Sequence, residues 1–150
     1  GLVEHSIETR RRIAREIREV RPDAILTMNW DLEPGWGLNH ADHRATGLAV
    51  VDAIRDADNP WLFPELLADE GLEAWMTPWL LVPMREPGHA IEVSAESLER
   101  GVRSLEAHRV YLEALAEHPA PRDLITGVLT AGGELAGVPY ALPVRAHRMG

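Results

Sequence analysis

Apolar positions follow two rhythms along this chain, and the change from one to the other marks out its elements. Ile13, Ile17 and Val20 fall at i, i+4 and i+7, one stripe of a helix that Ser6 can cap and that Pro22 stops. The run Arg10-Arg11-Arg12 lies mostly off that stripe and reads as a solvated face. Asp23 to Met28 reads as a short buried strand, and Asn29 to Leu38 as a loop rich in Gly, Pro and Trp. A helix follows from about Ala41 to Ala57, apolar nearly all round at Gly47 to Val51, as expected of a helix pressed against a sheet. Asp58 to Gly71 reads as a loop or short helical turn, and Ala74 to Val82 as a strand edged at Pro78. Ile91 to Val93 is a brief extended piece, and Ser94 caps a long helix expected to reach about Glu117. After Pro119 the chain is rich in Gly and Pro and is expected to form an irregular tail over 119–150.

This order of elements predicts an α/β fold: a three-layer, Rossmann-like, mostly parallel sheet within a single domain over 1–150. Ligands in such sheets sit outside the carboxyl ends of the strands. The segment that follows the first strand and its loop is therefore where chemistry is expected.

Composition narrows the class. A net charge of −9 argues against nucleic acid or an anionic membrane as a partner, because either would repel this surface. All 15 basic residues are arginine, which excludes a lysine Schiff base or lysine nucleophile. With no cysteine there are no disulfides and no thiolate metal ligands, which fits a cytoplasmic location. No apolar run approaches the roughly 18 residues of a membrane span, and no Gly-x-Ser-x-Gly elbow or phosphate-cradling Gly-rich loop is present.

The expected place holds Asn39-His40-Ala41-Asp42-His43-Arg44-Ala45-Thr46-Gly47. Residues i and i+3 share a helix face, so His40 and His43 can turn into one pocket with Asp42 near enough to orient a ring. Neutral imidazole suits zinc, and a catalytic zinc usually takes three protein ligands and a water. Read from spacing alone, the same histidines serve equally as caps or surface residues at a helix start.

The stretch Arg21-Pro22-Asp23-Ala24-Ile25-Leu26-Thr27, a Gly-containing loop and then His40-Ala41-Asp42-His43-Arg44 resembles the second half of the PIG-L/LmbE family. These are zinc-dependent N-deacetylases of N-acetylglucosaminyl compounds, mycothiol-pathway deacetylases among them. The resemblance implies His43 as a metal ligand, His40 as general acid and oxyanion partner, and Asp42 as the carboxylate between them. It implies Zn2+ or another divalent ion as cofactor and a small-molecule amino-sugar conjugate as substrate. A weaker likeness continues through Ile91-Glu92-Val93 and Ser104-Leu105-Glu106-Ala107-His108, so that the whole covers roughly residues 6 to 112. It makes His108, Trp36 and Arg44 candidates for contact with substrate.

The departures are informative. Asn39 and Ala41 stand where the family has Gly and Pro, Gly101 where it often has Lys, and Arg109-Val110-Tyr111 where Ser and Gln are common. The family's opening Ala-His-Pro-Asp-Asp strand, which supplies two further ligands and the general base, has no counterpart; His118-Pro119 is followed by Ala120 and Pro121. The chain is thus expected to be the later part of such a domain, incomplete at its amino-terminal side. Alone it should bind metal weakly and turn over nothing, with an oligomer or a complementing amino-terminal segment as partner. The alternative reading is a non-catalytic α/β module that keeps the fold for binding or assembly.

Trp30 and Trp36 flank the loop and could stack on a sugar ring or pack the loop, and Asp31 and Glu33 could meet hydroxyls. His5, His89, His118 and His147 carry no partner pattern and read as surface residues. His108 reads as partly buried and hydrogen-bonded.

Overall fold

The computed structural model describes residues 1–35, 37–83, 86–115 and 118–150. Its elements are α1 (Ile7–Val20), β1 (Ala24–Leu26), α2 (Ala41–Asp58), α3 (Glu65–Ala68), β2 (Trp79–Pro83), β3 (His89–Glu92), α4 (Ala95–Glu106), α5 (Arg109–Glu113), α6 (Pro121–Ala136) and β4 (Ala141–Arg148). The fold is α/β with an open sheet and parallel pairing, as the order of elements predicts. The chain expected as one domain divides into two compact units, residues 1–86 with 145–150, and residues 87–144.

In the first unit, Ser6 Oγ accepts the Thr9 N–H at 3.2 Å and starts α1. The helix stops at Arg21, whose left-handed backbone (φ 52°) returns its N–H to Ile17 O at 2.8 Å just before Pro22. β1 then pairs in parallel with β2, Ala24 opposite Trp79 and Leu26 opposite Leu81, and Thr27 N–H extends the ladder to Leu81 O. β1 lies at the edge, and Met149 N–H bonds Pro78 O beside the start of β2. α1 packs along α2, and Ala14, Ile17, Val50, Ala53 and Ile54 from the two helices share a core with Leu66, Leu80 and Val82. Each large aliphatic buried here contributes about 1.5–3 kcal/mol.

One cation lies within that core. Arg18 is 1% exposed. Its guanidinium donates to five backbone carbonyls, those of Asn59 (2.8 Å), Leu62 (3.0 Å), Ala57 (3.1 Å), Asp56 (3.4 Å) and Phe63 (3.4 Å). It thereby folds the chain leaving α2 back over α1. Burial pulls its pKa down from the ordinary arginine value. Asp56 separately takes a paired contact from Arg10 at 2.7 and 2.8 Å.

The strand expected over Ala74 to Val82 forms only from Trp79. Trp75 gives its backbone N–H to Ala57 O and its indole N–H to Pro22 O, so the preceding stretch is tied to the end of α2 and the exit of α1 rather than to a strand.

In the second unit β3 runs antiparallel to the first half of β4, Glu92 opposite Ala141 and His89 opposite Val144. Ser94 caps α4 through the Ser97 N–H at 3.1 Å. Leu98 and Val102 of α4 meet Leu129 of α6, with Val93, Ile125, Tyr140 and Leu142 around them. Arg122 grips Glu99 with two bonds of 2.7 Å.

The long helix expected from Ser94 breaks near His108. His108 N–H bonds Leu105 O rather than continuing the four-residue repeat, and its backbone (φ −83°, ψ 44°) leaves the helical region before α5 starts. The expected end at Glu117 lies outside the described residues. The segment from 119 onward is not irregular: it forms α6 and β4. Pro121 in the first turn and Gly137 (φ 72°) at the end are helix boundary signals. Gly132 is required by packing, since a Cβ there would lie 2.1 Å from Ala141 O.

Candidate functional site

The segment leaving β1 is closed into a compact loop by its own polar groups. Asn29 Oδ1 accepts the Asp31 N–H at 2.8 Å, and Asn39 N–H bonds Leu32 O at 2.9 Å. Gly47 lets α2 press against this segment: a Cβ there would stand 2.6 Å from Met28 O and 3.0 Å from Trp30 Cβ. The last residue of the H-A-D-H-R-A-T-G run therefore sets how close the helix start comes to the carboxyl end of β1.

His40 is the N-cap of α2. Its backbone is extended (φ −64°, ψ 146°), and its Nδ1 accepts the Asp42 N–H at 3.1 Å. A ring that accepts at Nδ1 carries its proton on Nε2 when neutral. His43, one turn in, places Nδ1 at 3.1 Å from Asn39 Oδ1. The two rings stand edge to face with centroids 5.9 Å apart, and both residues are exposed. The sequence-predicted pair is thus brought together.

The Asp42 carboxylate hydrogen-bonds neither ring. Its Oδ2 is 3.8 Å from His40 Nδ1, while its oxygens take the Val3 N–H at 3.0 Å and the Gly1 amino group at 2.5 Å. The Gly1 amino group first, and the Val3 N–H after it, hold its carboxyl below the usual aspartate range. Arg44 is half-buried and donates to Asn39 O.

Trp36 lies outside the described residues. Trp30 packs against the core and is tilted over the His147 ring at 6.4 Å, which uses it as loop packing. His108 belongs to the second unit, where it is exposed and its Nδ1 meets Ser104 O at 3.0 Å. The residue that sequence reasoning passed over is Asn39. It is 5% exposed, and its amide donates to Asn29 O (2.6 Å) and Asp31 O (3.0 Å). Its place directly before the N-cap histidine was the available signal.

Imidazole nitrogen is a suitable donor for Zn2+ and its neighbours among divalent ions. The described residues gather no cluster of three or more His, Asp or Glu able to enclose such an ion. The donor chemistry therefore fits one vertex of a metal site and not a closed set. No described helix is long and apolar enough to cross a membrane.

No protein-family model and no curated protein matches the sequence. Solved structures do share its fold. Against N,N'-diacetylchitobiose deacetylase from Pyrococcus horikoshii, solved with its inhibitor MPG, the TM-score is 0.77 at 19% identity, over 98% of this chain and 54% of that one. Against the conserved protein TT1542 from Thermus thermophilus the TM-score is 0.75 at 19% identity, over 100% of this chain and 63% of that one. GalB, the 4-carboxy-2-hydroxymuconate hydratase from Pseudomonas putida, gives 0.58 at 14% identity, over 94% of this chain and 58% of that one. The chain thus spans between half and two-thirds of the length of each of these three structures. At these identities the likeness is one of fold.

Proposed function

We propose that this chain forms the later part of a metal-dependent hydrolase that removes an acetyl group from an N-acetylglucosaminyl-type substrate. The observation that carries this reading is the pair of imidazoles at the start of α2. Each ring has its Nδ1 engaged by the protein, so each keeps Nε2 for chemistry outside. Their position after the first strand of an α/β sheet supports it, as does a fold shared with a protein named as a diacetylchitobiose deacetylase.

In this reading His43 is the protein ligand that the chain gives to Zn2+ or another divalent ion. When bound, such an ion supplies Lewis acidity to water and to the amide carbonyl. His40 presents Nε2–H, a donor for the negative charge that develops on the carbonyl oxygen. In its protonated form, with Nδ1 released from the Asp42 N–H, it also passes a proton to the departing amine as the C–N bond breaks and water's oxygen bonds to carbon. Asp42 is the carboxylate between the two histidines, its Oδ2 3.8 Å from His40 Nδ1. Trp36 and Arg44 are the substrate-contact candidates in this unit, with Arg44 also holding the Asn39 carbonyl. The remaining metal donors and the general base come from polypeptide outside residues 1–150. A cytoplasmic setting and an amino-sugar conjugate of the mycothiol kind complete the reading.

The test is acetate release from N,N'-diacetylchitobiose and from N-acetylglucosaminyl-inositol. The chain would be assayed with Zn2+, alone and together with a polypeptide carrying an Ala-His-Pro-Asp-Asp strand. Alone it should hold zinc weakly and release no acetate. The complemented pair should release acetate, losing it with His43→Ala and falling about 10²–10⁴-fold with His40→Ala. Tight stoichiometric zinc in the chain alone would overturn the incomplete site. A complemented pair that forms but stays silent on both substrates would leave the binding or assembly module as the better reading.

A further inference from the structure

We propose that Asn39 is a positioning residue that locks the His43 ring in one tautomer, with its lone pair on the outward nitrogen. The inference rests on the hydrolase reading for its purpose, but its geometry stands on the chain's own hydrogen bonds.

An asparagine amide can present either its oxygen or its nitrogen to a neighbour, so its orientation must come from its other contacts. Here both amide hydrogens are committed. One faces Asn29 O at 2.6 Å and the other Asp31 O at 3.0 Å, and neither carbonyl could meet an amide oxygen instead. The oxygen is therefore the atom turned to His43, at 3.1 Å from Nδ1. An amide oxygen only accepts, so His43 Nδ1 carries the hydrogen and Nε2 carries the free lone pair.

Asn39 is itself unable to drift. Its N–H is held by Leu32 O at 2.9 Å, its carbonyl by Arg44, and its side chain is buried. The neighbouring ring is fixed the opposite way: His40 accepts at Nδ1 and presents Nε2–H. Two histidines three residues apart are thus set as a lone-pair donor and a hydrogen-bond donor, and Asn39 decides the first. A glycine at position 39 would leave the His43 tautomer to solvent.

The check is a long-range ¹H–¹⁵N spectrum of the imidazoles in the metal-free chain, at a pH where they are neutral. The native chain should show His43 protonated at Nδ1 and His40 at Nε2. Asn39→Ala should shift His43 toward the Nε2–H form while leaving His40 unchanged. Asn39→Asp keeps an acceptor but loses both donors; it should restore the Nδ1–H form even where the loop loosens, and it serves if Asn39→Ala fails to fold. A native His43 protonated at Nε2, or a tautomer ratio untouched by Asn39→Ala, overturns the proposal. Zn2+ affinity of the complemented pair should fall about 10–100-fold in Asn39→Ala. If the native pair binds no zinc while the tautomer result holds, the hydrolase reading fails and the lock by Asn39 stands.

Discussion

The carbonyl oxygen of Met28 occupies the space that a methyl group on Gly47 would need, with only 2.6 Å between them. The obstacle is backbone, so it cannot swing aside. Overpacking of this kind costs about 1–3 kcal/mol, against a gain of about 1 kcal/mol in helix propensity from Gly to Ala. Gly47→Ala should therefore destabilise the chain by up to about 2 kcal/mol in urea unfolding. Gly127, on the exposed side of α6, has nothing within 4 Å of where a Cβ would stand. There the same substitution should stabilise by about 0.5–1 kcal/mol. Equal effects at the two sites would contradict the close approach of α2 to the exit of β1.

Arg18→Met fills a similar volume but leaves five carbonyls without their donor. Lost bonds to a charged group and stranded acceptors together predict a loss of about 3 kcal/mol in thermal or urea unfolding. Arg18→Lys should recover about half of it, because a single ammonium cannot fan out to five oxygens. Amide exchange should quicken first between Asp56 and Phe63, the segment these bonds hold.

His40 serves α2 as well as any chemistry. Removing its cap in His40→Ala should cost about 1 kcal/mol of stability, while His40→Asn, which also caps well, should be nearly neutral. The two variants should fail alike in acetate release by the complemented pair. A difference in stability with equal loss of activity separates the capping role of Nδ1 from the donor role of Nε2.

The Arg122 guanidinium beside Glu99 holds that carboxyl below the usual glutamate range. A carboxyl lowered in the folded state lends stability above its unfolded value, about 4.3, and loses it as pH falls through the lower folded value. Arg122→Gln should move Glu99 upward in a carboxyl NMR titration. It should also flatten the acid limb of the stability curve slightly. Since both side chains are largely open to water, 1 M salt should remove most of the difference.

Much of the first unit was legible because local signals agreed with packing. Ser6, the Ile13 and Ile17 stripe and Pro22 bound α1, and the histidine segment opens α2 where the pattern changes. Three features were hidden. α6 carries Gly127, Gly132 and Gly133, which lower helix propensity, and only contact with residues 138–143 shows why two of them are needed. The apolar pattern after Ser94 continues through His108, so the break there, made by one shorter hydrogen bond, leaves no periodic trace. Within the candidate site, the spacing of His40 and His43 foretold their meeting, and Asp42 looked like the group to steer them. The structure gives Asp42 to the chain before α1 and the steering of His43 to Asn39, a choice between neighbouring short polar side chains that only three-dimensional partners decide.

The outermost strand of the first unit is three residues long, Ala24 to Leu26. So brief a margin offers a stray polypeptide very few rungs, which discourages fibril growth and indiscriminate clumping. Beside it lies a shallow apolar hollow edged by Ile13, Val20, Pro22 and Ile25.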